Sequence, residues 1–217
     1  MVTVFEDFLA AAHAAVGLIG SDEAAARWEE PSALKGFTIG GLAAHLGSQV
    51  NSARRALTSP RPEPGAVVTP LIDHYAKATW IGVPLDAPVN MEILALGEER
   101  AKTGAAEQAR ATRAALEEAA AVLASEGFDE STVISMPWVE GRAMTAGDVL
   151  ITRLMELLVH GDDLAVSLGV VTPAYPASAF ETVTDLLVRI SATRNGALPV
   201  LRALSRAERA PKSIAAF

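Results

Sequence analysis

Apolar residues return at intervals of three and four along most of this chain, the spacing of helices with one buried face. Phe5, Phe8, Leu9, Ala12, Val16 and Ile19 form the first such stripe, opened by a Thr3–Glu6 capping box and closed at Gly20-Ser21-Asp22. A short helical turn is expected between Asp22 and Trp28, then a loop from Pro31 to Phe37 anchored by Trp28 and Phe37. Thr38 opens a second helix with Ile39, Leu42, Leu46 and Val50 on its stripe. The prolines between Pro60 and Pro70 exclude helix and predict an extended loop. Leu71 to Trp80 reads as a helical segment. Val89 to Ser125 reads as a long helical stretch, with Val89, Ile93, Leu96, Leu116 and Leu123 inside and a mixed-charge face that includes Glu98 outside. Gly97 and Gly104 mark a bend or a close helix contact in it.

Phe128 to Met144 is strand-like, a small hairpin or an irregular crossover that includes Pro137-Trp138 and a turn at Gly141. The longest organised stretch runs from Thr145 to Gly169. Thr145 and Asp148 have the spacing of a helix start, and Gly169 suits the left-handed position after a helix end. Leu150, Leu154, Leu157, Leu158, Leu164 and Leu168 are its core candidates. Ser178 and Glu181 have capping-box spacing before Phe180, Val183, Leu186, Leu187 and Ile190, a helix closed by Asn195-Gly196. Pro199 then begins a short helix with Leu201 and Leu204 and the basic residues Arg202, Arg206 and Arg209. Four amphipathic helices carry the core, so the expected fold is all-α: a four-helix bundle over residues 1–170 with a crossover segment, and a short helical extension over 171–217 packed on the same domain.

Composition narrows the chemistry. The chain has no cysteine, which removes disulfides, thiolate metal sites and cysteine nucleophiles. Any metal must be held by His, Asp or Glu. The net charge of −8 and the absence of a basic stripe speak against nucleic acid as a partner. No run reaches the roughly 18 apolar residues of a membrane span. Glu6 and Asp7 sit where a signal peptide would be basic and then apolar, so the expected location is the cytoplasm. Alanine-rich helices pair between subunits as well as within one, so a homodimer stays open.

Within the leucines of the longest helix stand Glu156 and His160, four residues apart and therefore on one face. Burying a carboxylate and an imidazole is costly unless something satisfies them, and a divalent metal does so. The ordinary alternative is an exposed helix pair. His45, between Leu42 and Leu46 on the second helix, is the candidate third ligand; its alternative is a neutral histidine hydrogen-bonded at the core edge. Together the three give two imidazoles and one carboxylate with a fourth position open, the pattern of a catalytic zinc, although other divalent metals suit the same donors. His13, His74 and Trp80 stay unassigned, the last two as candidates for a pocket rim.

Two segments resemble a known family. Phe37-Thr38-Ile39-Gly40-Gly41-Leu42-Ala43-Ala44-His45-Leu46-Gly47 is similar to the second-helix signature of the DinB-like, mycothiol-dependent maleylpyruvate isomerases. Arg153 to Gly169 is similar to their Arg-x-x-Glu-x-x-x-His-x-x-Asp-Leu helix, and Arg202 to Arg209 resembles tails of actinobacterial members. The resemblance implies a DinB-like four-helix bundle in which His45, Glu156 and His160 bind zinc, with mycothiol as the low-molecular-weight thiol cofactor. The isomerase of that family carries a longer C-terminal α/β domain, and the resemblance does not reach that part.

The implied activity is an isomerase or S-transferase whose zinc-held thiolate attacks a small, electrophilic, anionic substrate. In an isomerase sulfur adds to a cis double bond, rotation follows, and elimination returns the thiol; in a transferase sulfur stays attached. Asp163 is placed to orient His160 as an outer acceptor. Arg153 lies one turn before Glu156, and Arg202 is the candidate contact for a substrate carboxylate. Two rival functions remain: a hydrolase using metal-activated water, and a non-catalytic protein that binds a metal or small molecule.

Overall fold

A computed structural model describes residues 3–137 and 141–217. The helices it describes are α1 (Val4–Ile19), α2 (Asp22–Ala26), α3 (Ile39–Thr58), α4 (Leu71–Ala76), α5 (Pro88–Ala101), α6 (Ala105–Leu123), α7 (Ala146–Leu168), α8 (Ala177–Asn195) and α9 (Ala197–Ser205), followed by a 3-10 turn at Ala207–Arg209. Three short strands complete it: β1 (Val67–Val68), β2 (Val133–Ser135) and β3 (Arg142–Thr145). The fold is an all-α, DinB-like helical bundle. Helix α1 packs on α7 and α6, and α3 packs on the same two helices, which closes a ring of four around one apolar core. Phe8, Ile19, Leu42, Leu46, Leu150, Leu154 and Leu157 are fully buried in it. Helix α5 lies along α3, and α8 rests on α7, α4 and α1.

The helix starts form where the sequence marks them. Thr3 caps α1 in a complete capping box with Glu6, Thr38 caps α3 by accepting from Gly41 N, and Thr145 caps α7 by accepting from Asp148 N. Gly169 ends α7 in the left-handed conformation. Ser178 and Glu181 do not form the expected capping box. Helix α8 starts earlier, after Pro176, and the Ser178 hydroxyl donates instead to the buried Asp7 carboxylate at 2.7 Å.

Other expectations are corrected by tertiary contacts. The stretch from Val89 to Ser125 is two helices, α5 and α6, separated where Gly104 adopts φ +83°. Glu98 is not a solvated charge. Its carboxylate accepts from Thr38 N at 2.8 Å and from Thr38 Oγ1, which ties α5 to the start of α3. Gly41 makes room for this contact, since a Cβ there would stand 2.0 Å from Glu98 Oε1. Leu96 and Phe180, expected on buried stripes, are exposed, and so are Leu201 and Leu204 on the last helix.

The strand-like segment is a hairpin, β2 against β3, with Ile134 opposite Met144, and its Trp138 lies outside the described residues. The extended loop supplies a third strand that the sequence did not announce: β1 pairs in parallel with β3. Helix α4 is also shorter than the expected segment to Trp80. Among the described residues, no helix is long and apolar enough to cross a membrane.

Candidate metal centre

Helix α7 presents Glu156 and His160 one turn apart, and α3 brings His45 to face them across the bundle. The rings of His45 and His160 meet edge to face, with centroids 4.8 Å apart. One ligating atom from each of His45, Glu156 and His160 lies within 4.8 Å of the others. Among the described residues no other cluster of His, Asp or Glu has this geometry. The sequence-predicted donors therefore do converge, from segments about a hundred residues apart.

The α7 side of the site is ionic. His160 Nε2 lies 3.2 Å from Glu156 Oε2, and His160 Nδ1 donates to Asp163 Oδ2 at 3.0 Å. Burial alone would hold this imidazole neutral, but hydrogen bonds to Asp163 and Glu156 outweigh it and raise its pKa to about 9. Burial likewise opposes ionisation of Glu156. The bond to His160 and the charge of Arg153 overcome that, and the carboxyl falls to about 2. An imidazolium between two carboxylates thus occupies the ground a cation would take.

The α3 side is neutral. Burial first, and the positive charge of His160 second, lower His45 to about 4. The ring is therefore neutral at neutral pH, with one nitrogen unprotonated. The Phe37 ring packs against it at 5.6 Å. Gln49, one turn on, places its amide nitrogen 3.3 Å from His45 Nε2 and 3.2 Å from the His45 carbonyl. The other end of that amide accepts from Arg153 Nη1 at 2.6 Å. Gln49 is buried and bridges the two helices that carry the donors. Sequence reasoning gave it no role. A lone glutamine one turn from a candidate ligand, inside an apolar stripe, was the available signal.

The donor set suits a divalent metal of the zinc class: two imidazoles and a carboxylate, one imidazole already neutral, the other oriented from behind by Asp163. Asp163 and Arg153 stand beside the donors as the spacing suggested. Arg202 does not. It is exposed on α9, whose main contacts are α8 and the following 3-10 turn. Next to His160, Gly161 lets the Tyr175 hydroxyl approach α7, because a Cβ at 161 would stand 2.2 Å from it.

Neither curated proteins nor solved structures yield a significant match to this chain. A family profile does match, over residues 9–165, a span that holds both His45 and the Glu156–His160 turn. Since that span is well over half of the chain, the protein belongs to the mycothiol maleylpyruvate isomerase N-terminal domain family.

Proposed function

We propose that this protein is a metal-dependent, thiol-dependent isomerase or S-transferase acting on a small, electrophilic, anionic substrate, with zinc as the metal and mycothiol as the thiol. The observation that carries the reading is the convergence of His45, Glu156 and His160 from α3 and α7. These three side chains hold the cation. Asp163 accepts a hydrogen bond from the Nδ1–H of His160 and so turns Nε2 toward the centre. Gln49 and Arg153 fix the neighbourhood of His45.

When bound, the metal's contribution is to favour the thiol's ionised, nucleophilic form. The surrounding charges favour an anion there. Two carboxylates, Glu156 and Asp163, stand against Arg153 and a divalent ion. Once His160 has given up its proton, one positive charge remains, which a thiolate neutralises. The side chains of His160 and Glu156 are largely withdrawn from bulk water, at 17% and 13% exposure.

The test starts with elemental analysis of protein purified without a histidine tag. One equivalent of metal is expected, and it is expected to be lost in His45→Ala. Mycothiol is then mixed with the loaded protein and a panel of electrophiles, with thiol consumption and cis–trans conversion followed. No thiol-dependent turnover across the panel overturns the reading, whereas turnover that needs no thiol identifies a hydrolase.

A further inference from the structure

Buried polar groups are almost always paired. Among the described residues two buried side-chain atoms have no hydrogen-bond partner, the hydroxyls of Tyr75 and Tyr175. Their surroundings differ. The Tyr175 hydroxyl fills the gap left by Gly161 and its ring meets Phe180 edge to face, so packing accounts for its position. The Tyr75 hydroxyl has no such account. Tyr75 is 4% exposed on α4, a short helix that packs against α7 and α8. The charges of Arg153 and Glu156 both reach it. They also reach His74, the preceding residue, which burial and Arg153 hold neutral, with a pKa lowered to about 4. The same two charges act on His45. Helix α4, packed on α7, thus sets two polar groups within electrostatic reach of Arg153 and Glu156.

We propose that Tyr75 contacts the substrate: its hydroxyl donates a hydrogen bond to an anionic oxygen, a carboxylate or enolate, of an electrophile bound between α4 and α7 near Arg153. The proposal rests on the functional reading above and adds to it the group that recognises the substrate's oxygen. A neutral donor beside a fixed positive charge, away from water, is the environment that stabilises such an oxygen. The phenol acts as a donor and keeps its proton, because burial pushes it well above the ordinary tyrosine range. Its ring is held on two sides. His74 meets it edge to face at 5.2 Å, and Phe217 lies 6.4 Å away and rests in turn on Trp80. The C–O bond is therefore aimed before any ligand arrives. His74 and Trp80 flank this position in the sequence as candidate rim residues; the functional atom lies between them.

Tyr75→Phe removes the oxygen and keeps the ring. In metal-free protein the variant is expected to melt at the wild-type temperature or above it, since no internal hydrogen bond is lost. A lower melting temperature reveals a structural partner and overturns the proposal. Maleate, a small unsaturated dicarboxylate, is then titrated calorimetrically into zinc-loaded wild type and variant of equal zinc content. The variant is expected to bind it about 10- to 100-fold more weakly, the usual worth of a hydrogen bond to a charged group. Equal affinities, or no binding by wild type, overturn the proposal. Tyr75-dependent maleate binding in a protein that consumes no thiol leaves the proposal standing and removes the thiol chemistry. Thiol turnover that Tyr75→Phe leaves untouched does the reverse.

Discussion

The two walls of the candidate metal centre are prepared for a cation by opposite routes. On α3 a single imidazole is kept neutral by burial and braced by an amide. On α7 an imidazole is kept charged by two carboxylates. The neutral wall is ready to ligate as it stands, while the charged wall must first release a proton. The difference teaches that one donor set is prepared by two separate means: burial and an amide on α3, paired carboxylates on α7.

Breaking the charged wall has the largest expected effect. Glu156→Gln removes a ligand and a charge together, and metal affinity should fall more than about 100-fold, beyond the 10- to 100-fold range of outer partners. Competition against a chromogenic chelator measures it; an unchanged affinity would show that the three donors do not share a metal.

Asp163→Asn is milder, about tenfold, because the amide oxygen still accepts from Nδ1 while the charge is gone. The same variant sharpens the comparison in metal-free protein. His160 has a folded pKa of about 9 against an ordinary 6.5. The stability it contributes is full below the ordinary value and is lost as pH rises through about 9. Urea unfolding of metal-free wild type should therefore weaken on the alkaline side, and Asp163→Asn should flatten that limb. Equal alkaline slopes in the two proteins would remove the charged imidazole from the account.

A third prediction separates the walls by counting protons. Between roughly pH 5 and pH 8, His160 is protonated and His45 is not. Zinc binding should then release one proton, and apparent affinity should rise about tenfold per pH unit. A hundredfold rise per unit would mean that both walls are charged. The smallest effect belongs to Arg202, exposed and remote in packing from α3 and α7. Arg202→Ala should leave metal affinity unchanged and stability within about 0.5 kcal/mol. A raised KM for an anionic substrate is the one result that would assign it a contact.

What could be read from the sequence was local. Leucine spacing and the Thr145 and Gly169 signals are properties of one helix, and they placed Glu156, His160 and Asp163 on one face. The His45 stripe on α3 was equally plain. Contacts between distant segments left weaker traces. Glu98 stands among alternating charges, and nothing nearby tells that Thr38 will capture it. Gln49 becomes a bridge only when Arg153 arrives from α7. Strand β1 is two residues long and exists by pairing with β3. Leu201 and Leu204 make an apolar stripe as regular as any in the core, yet they remain 61% and 65% exposed, because periodicity defines a face without saying whether anything covers it.

One small residue carries more than its size suggests. Gly161 follows His160 directly, and the space it leaves is filled by the Tyr175 hydroxyl. A single added methyl would have to push that phenol aside, and with it the Phe180 ring that meets it edge to face. The seam between α7 and α8 would be wedged apart within one turn of the histidine. Position 161 is thus a point where the loop leading into α8 has leverage over the imidazole's bearing.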